Sequence, residues 1–188
     1  MYQTTVKAPD AKEQLERLVP HPDLRAFLTA LRDWSPQYHE AESSYGNSLQ
    51  TFVRRTFGPD EFVRWPSNLK LRLEDDESKV APDFCFRGRL LVEIKGNIYT
   101  ASETDRALGQ IVRYLLAWKQ SGPALLIVCG ECRDLYRALM LTYVTIWRKE
   151  LKIPVTVYFL RAEGAEQVPT SVDPDEWKGR ALPSGAKG

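Results

Sequence analysis

The sequence predicts an α/β domain, and three observations carry that expectation. Segments with apolar residues at helical spacing alternate with short strand-like runs; residues 81–96 have the alternation of a tight hairpin; and Ala124–Val128 is an unbroken apolar run of strand length. With 188 residues, 43% of them hydrophobic, the chain can bury one substantial core, and nothing in it suggests a second.

In chain order, Ala11 to Leu18 is a weak helical stretch and Pro22 to Trp34 a short amphipathic helix with Leu24, Phe27, Leu28 and Leu31 on one side. Together they form an N-terminal helical extension over residues 1–37. From Tyr38 to Phe57 a further helix carries Tyr45, Leu49, Phe52 and Val53 on a stripe that also holds Glu42. A carboxylate on a buried face is costly unless paired, so Glu42 is expected to meet a metal-bound water, Lys95 or another cation. The alternative is an acid that simply complements the dipole at a helix N-terminus. Glu61 to Pro66 and Asn68 to Glu74 read as strands or one bent strand. The acidic turn Glu74-Asp75-Asp76-Glu77 follows, with hydrated rather than convergent acids.

The hairpin tests its own register. With a three-residue loop Arg87-Gly88-Arg89, whose glycine takes up a positive φ, Phe86 faces Leu90 and Asp83 faces Glu93. Alternation then gathers Phe84, Phe86, Leu90, Val92 and Ile94 on one face and Asp83, Glu93 and Lys95 on the other, one face for core and one for chemistry. A two-residue turn would pair Asp83 with Val92 and scatter the apolar set, so the pattern selects the longer loop. Pro82 has no N–H for a ladder and is expected at the start of its strand.

Ser102, with Asp105 three residues on, looks like the capped start of a helix to Gln120 carrying Leu108, Ile111, Val112, Leu115 and Leu116. Gln110 and Tyr114, four residues apart, aim at one spot. Gly122-Pro123 breaks the chain, and Ala124–Val128 reads as a strand buried on both faces beside the Glu93 strand. A helix over Arg133 to Glu150, with Leu135, Leu139, Tyr143 and Ile146 on one face, and a strand from Pro154 to Leu160 complete the domain over residues 38–162. Residues 163–188 form a polar tail, with Trp177 as an anchor for the core or a second subunit.

The chemistry follows from charge. Mg²⁺ or Mn²⁺ seeks hard oxygen ligands, and Mg²⁺ takes one or two protein carboxylates beside its waters and substrate phosphate. Asp83 and Glu93 can supply these, and the Ile94 carbonyl lies between the two active positions. Lys95 can orient an attacking water, lower its pKa, or offset charge on the phosphorus; the sequence leaves these open. Any half-exposed strand alternates acids and lysines with apolar residues, but here Pro-Asp arrives at hairpin distance, and Glu42 and Gln110 on separate helices agree.

Together, Pro82-Asp83, Glu93-Ile94-Lys95, Glu42 and Gln110 to Tyr114 resemble the PD-(D/E)XK nuclease superfamily. The last segment is similar to the Q-x-x-x-Y motif of its RecB-like and Cas4-like branch. The resemblance covers about Tyr38 to Leu160. It implies a restriction-endonuclease-like αβββαβ core with a mixed central sheet flanked by helices, the N-terminal helices being extra. It also implies metal-dependent cleavage, usually of DNA, and in many members a homodimer. Asp83, Glu93, Lys95, Glu42 and Gln110 take the catalytic positions, and Asp83, Glu93, Ile94 and Glu42 the metal-binding ones. Many Cas4-like proteins hold an iron–sulfur cluster with four cysteines; this chain has three, Cys85, Cys129 and Cys132, so no cluster is expected.

Only two histidines, His21 and His39, are present, in no zinc-ligand spacing, and neither a G-x-S-x-G elbow nor a phosphate-cradling loop occurs. His39 reads as a surface residue. A net charge of +1 requires nucleic acid to be held by local clusters. Those expected are Arg54 and Arg55, Lys70 and Arg72, Arg87 and Arg89, and Arg106 and Arg113 beside Tyr114. No apolar leader or membrane-length run is seen and cysteines are few, so the expectation is a cytoplasmic protein with no membrane partner. Two other readings fit the same residues: an idle nucleic-acid-binding or structural module of the same fold, and an RNA-cleaving enzyme of antiviral defence.

Overall fold

Pro22 pre-sets the backbone of a first helical turn, and helix α1, Pro22–Leu31, begins there. The structure, a computed structural model, describes residues 21–37, 41–65, 71–73, 76–117, 122–151 and 153–160, without the side chains of 71–73 and 76–80. The expected helix at 11–18, Lys70, the Arg72 side chain, His39, Trp177 and the tail lie outside the described residues. After α1 come α2 (Glu42–Phe57), β1 (Phe62–Arg64), β2 (Leu71–Leu73), β3 (Asp76–Val80), β4 (Phe84–Phe86) and β5 (Leu90–Lys95). The chain continues through α3 (Ala101–Ala117), β6 (Ala124–Val128), α4 (Asp134–Lys149) and β7 (Val155–Phe159).

Five strands form one mixed sheet in the order β1-β4-β5-β6-β7. β1, β4 and β5 run antiparallel to their neighbours, whereas β5, β6 and β7 are parallel, so α3 and α4 are the crossovers that parallel pairing needs. β2 and β3 pair separately as a two-stranded ribbon. Asp76 and Glu77, expected in a turn, belong to β3.

The hairpin has the expected facing: Phe86 opposite Leu90, Cys85 opposite Leu91 and Phe84 opposite Val92, which sets Asp83 across from Glu93. Its three-residue loop, with Gly88 at positive φ, is the expected one, and Arg87 adds a second positive φ. Both Arg87 (φ 51°) and Gly88 (φ 64°) adopt positive φ, and the Arg89 N–H donates to the Phe86 carbonyl at 3.0 Å. Two central residues of positive φ are the requirement of a type I′ turn, leaving Arg89 as the extra residue that restores the register.

Phe84, Phe86, Leu90, Val92 and Ile94 join α1 and α2 in one core, with Leu24, Phe27, Leu28, Leu31 and Leu49. The opposite face, expected to be left for chemistry, is a second core: Cys85 and Leu91 pack with Ile111, Leu126, Met140 and Val157 under α3 and α4. Helices on both faces bury both sides of the sheet.

Two helices depart in detail. The first turn of α3 is closed by Thr100 and Glu103, not Ser102 and Asp105. The Glu103 N–H donates to Thr100 Oγ1 (3.2 Å), and the Thr100 N–H donates back to Glu103 Oε2 (2.9 Å), a reciprocal capping box. On α4 the expected apolar face is turned outward: Leu135, Tyr143 and Ile146 are exposed, and Met140, Leu141 and Val144 are buried. Two apolar stripes share this helix, and only the sheet decides between them.

Arg87, though exposed, is engaged within the fold. Its guanidinium donates to Glu61 Oε2 (2.8 Å) and to Asp23 Oδ1 (3.3 Å), and lies 4.9 Å from the Phe86 ring centroid and 5.5 Å from that of Phe57. It thus ties the hairpin tip to α1, α2 and the loop before β1, so its charge is already met by two acids. Arg87→Ala is expected to lower stability by about 1 to 2 kcal/mol in urea unfolding, since solvent-screened ion pairs and exposed cation–π contacts are each worth up to about 1 kcal/mol. Affinity for nucleic acid should not change.

Candidate active site

The acids expected to act together meet at the C-terminal end of β5. Glu93 projects from β5 toward α3 and is only 3% exposed. A lone carboxylate there would be unstable, and two donors answer it: Lys95 Nζ at 2.7 Å from Oε1, and the Tyr114 hydroxyl at 3.1 Å from Oε2. Lys95 shares the face of Glu93 because it lies two residues on.

Asp83 sits just before β4, after Pro82, and its Oδ2 accepts the Ile94 N–H at 2.8 Å. Glu42 is the first residue of α2. It is exposed rather than on a buried stripe, because the helix begins at it instead of running through it. Its Oε2 accepts the Gly96 N–H at 3.1 Å and its Oε1 lies 3.6 Å from Lys95 Nζ. Lys95 therefore bridges a buried acid on the α3 side and an exposed one on the α2 side. Both readings of Glu42 hold, as partner of Lys95 and as first-turn acid.

Burial, then the nearby Asp83 charge, pushes the Glu93 carboxyl up to about 7, against the pull of Lys95 and Tyr114. Burial also raises Asp83, with Glu42 adding to it while the Ile94 N–H, Lys95 and Arg64 oppose. For Lys95, burial alone would lower the ammonium, but Glu93, Glu42 and Asp83 outweigh it and hold it above its ordinary value. Burial and the Glu93 charge push the Tyr114 hydroxyl up, so it stays a proton donor.

A cleft of about 340 Å³ opens beside these groups, lined by Glu42, Asp83 and Ile94 together with Gly46, Arg64 and Trp65. Glu93 and Lys95 stand behind it. Among the described residues no set of three or more His, Cys, Asp or Glu side chains is gathered so as to hold a metal by itself. Of the acids expected to converge, Glu93 is held inward by Lys95 and Tyr114. Asp83 and Glu42 remain in the cleft with Ile94, and two carboxylates in a wet cleft fit the demand of a Mg²⁺ that keeps most of its waters.

The other expected residues fall in distinct places. Tyr114 is buried at 2% exposure against Glu93, not at a nucleic-acid surface. Gln110 makes no bond to the acids; its Oε1 is buried with no hydrogen-bond partner among the described residues. Arg54 donates to the Pro59 carbonyl at 3.0 Å. Arg55, Arg89, Arg106 and Arg113 are exposed. Cys129 follows β6, Cys132 precedes α4, and the three cysteines are free thiols, those of Cys85 and Cys132 raised by burial to about 11.

Arg64, in the cleft, is a residue the sequence reading missed. It pairs opposite Phe84 across β1 and β4, a non-local register that no local pattern announces. Comparison with protein-family models, curated proteins and solved structures finds no match to this chain.

A carboxyl raised in the folded state is protonated there while the unfolded chain has already ionised, so it makes stability fall as pH rises. In metal-free buffer, the stability of the wild type relative to Glu93→Gln is expected to decline between about pH 4.5 and about pH 7 and then level off. The decline should amount to at most about 3 kcal/mol. Urea unfolding across pH checks this, and a gap independent of pH would remove the buried-acid account of Glu93.

Proposed function

We propose that this protein is a metal-dependent deoxyribonuclease of PD-(D/E)XK type, which hydrolyses phosphodiester bonds with Mg²⁺ or Mn²⁺ in DNA processing, repair or defence. The observation that carries the reading is the meeting of Asp83, Glu93, Lys95 and Glu42 at one strand end beside an open cleft. Its support from the fold is the sequence of elements. A helix bearing Glu42, the three antiparallel strands β1, β4 and β5 with the β2–β3 ribbon inserted after the first, a helix bearing Tyr114 and the parallel strand β6 come in the order of an αβββαβ core with one insertion.

In this reading Asp83 and Glu42, with the Ile94 backbone, would hold the ion, which would supply Lewis-acid polarisation of a phosphate oxygen and a more acidic water. Glu93 keeps Lys95 charged and aimed. Lys95 Nζ, between Glu93 and Glu42, orients the attacking water or offsets charge as it builds on phosphorus. Tyr114 fixes Glu93 through its hydroxyl, a positioning role rather than contact with DNA. Gln110, one helical turn before Tyr114, supports the site in this reading. The functional form is a homodimer in many proteins of this kind, and the cytoplasm is where such an enzyme acts.

Supercoiled plasmid, linear duplex, single-stranded DNA, a four-way junction and RNA, each with Mg²⁺, Mn²⁺ or EDTA, test the reading. Nicked circles indicate an endonuclease, loss only from ends an exonuclease, and cleavage confined to RNA the RNA-cleaving alternative. Asp83→Asn and Lys95→Ala are expected to abolish cleavage while much of the DNA affinity and the melting transition persist. Undiminished activity in both variants would overturn the mechanism, and a wild type inert on all five would favour an idle binding module.

A further inference from the structure

The acid cleft has an electrostatic problem if its ligand is an anion: Asp83, Glu42 and Glu93 stand against the single ammonium of Lys95. The cation that answers it is Arg64. Its guanidinium lies 5.3 Å from the centroid of the Phe84 ring, and its Nη2 donates to Asn47 Oδ1 at 2.9 Å. Stacking and one hydrogen bond fix the plane of the fork and leave most of its five donors for an oxyanion. At Gly46, α2 carries no side chain where a Cβ would lie 3.5 Å from Phe84 and 3.8 Å from Arg64, so the helix leaves room beside the fork.

The same bond joins the cleft to a second cavity. Arg64 lines the acid cleft, and Asn47, its partner, lines a cavity of about 470 Å³ with Trp34, Ser48, Thr51 and Arg55. Asp33 is the one acid among the described residues that line that cavity. The outward stripe of α2 connects the two: Ser43, Asn47, Thr51 and Arg55 recur at intervals of four residues, all exposed. From Ser43 to Arg55 the helix rises about 18 Å, the length of roughly five stacked nucleotides at about 3.4 Å each. Short hydroxyl and amide side chains flanked by arginines are the usual contacts of a phosphodiester backbone. Cavities of this size take single nucleotide units rather than a duplex.

We propose that the exposed face of α2, with Arg64 and Arg55 as its cations, is a track that leads one nucleic-acid strand from the Arg55 cavity into the acid cleft. The inference rests on the nuclease reading for what happens at the end of the track, but not for binding along it. Arg64 contacts the phosphate next to the acids and Arg55 one several nucleotides away.

The test is anisotropy of a labelled single-stranded 12-mer with Mg²⁺ over a salt series, in the uncleaving Asp83→Asn protein. Arg64→Gln, which removes the charged fork, and Arg55→Gln are each expected to weaken binding roughly tenfold at low salt. Each should also reduce the slope of log affinity against log salt by about 0.7, the value for one single-strand phosphate contact. Lys149→Gln, exposed at the end of α4 across the sheet, should change neither. Equal losses at Lys149, unchanged slopes at Arg64 and Arg55, or no binding by the parent would each overturn the track. Cleavage by the wild type, run in parallel, separates the two ideas. Slopes that fall in an inert protein retain the track without the nuclease, and an active protein with unchanged slopes retains the nuclease without the track.

Discussion

A carboxylate that is 97% out of water needs partners, and the way Glu93 finds them organises this molecule. One oxygen takes the ammonium of Lys95 from its own strand; the other takes the Tyr114 hydroxyl from α3. Lys95 in turn reaches Glu42 on α2, whose other oxygen holds the Gly96 N–H. One end of β5 is thus tied to helices on both faces of the sheet. Removing Lys95 would leave Glu93 a buried acid without its cation, which costs more than the bond itself contributes.

The parts of this arrangement that were legible are those set by neighbours in sequence. The alternation around Arg87-Gly88-Arg89 fixes Asp83 opposite Glu93, because a slip of one residue would turn Phe84 and Phe86 out of the core. The unbroken apolar run of β6 announces burial on both faces, and the stripe of α1 announces Leu24, Phe27, Leu28 and Leu31. What was not legible depends on partners far along the chain. Arg87 reads as an exposed turn residue until Asp23, Glu61, Phe57 and Phe86 are brought around it. Tyr114 reads as a helix flank until Glu93 is beneath it. α4 carries two apolar stripes, and the one that packs is chosen by β7 and α3. The cap of α3 was readable, since Thr100-x-x-Glu103 has the capping-box pattern two residues before the one chosen.

Cations divide on the same principle. With a net charge of +1 the protein has no general attraction for nucleic acid, so the few arginines whose positions matter must be told apart by geometry. Arg87 and Arg54 bond to groups within the fold, one to acids and one to a carbonyl. Arg64 is different in kind: its direct contacts, a ring and an amide, are neutral, and its charge acts on Asp83 across the cleft. A guanidinium aimed beside two cleft carboxylates is the local dipole that a phosphodiester with a bound cation would complement.

The acid cluster also bears on why such residues are there at all. Burial raises both Asp83 and Glu93, the Glu42 charge adds to the first and the Asp83 charge to the second, and one lysine serves three carboxylates. At neutral pH this is a load on the folded state, and neutral or apolar side chains of similar volume would relieve it. A sheet selected for stability alone has no reason to keep three acids at one strand end, whereas a site that must bind a divalent cation needs the surplus negative charge that makes the empty fold weaker. The same surplus would repel a phosphate arriving without an ion. In the proposed function, ion, strand and the Arg64 fork would belong to one electrostatic arrangement, each making the approach of the next favourable.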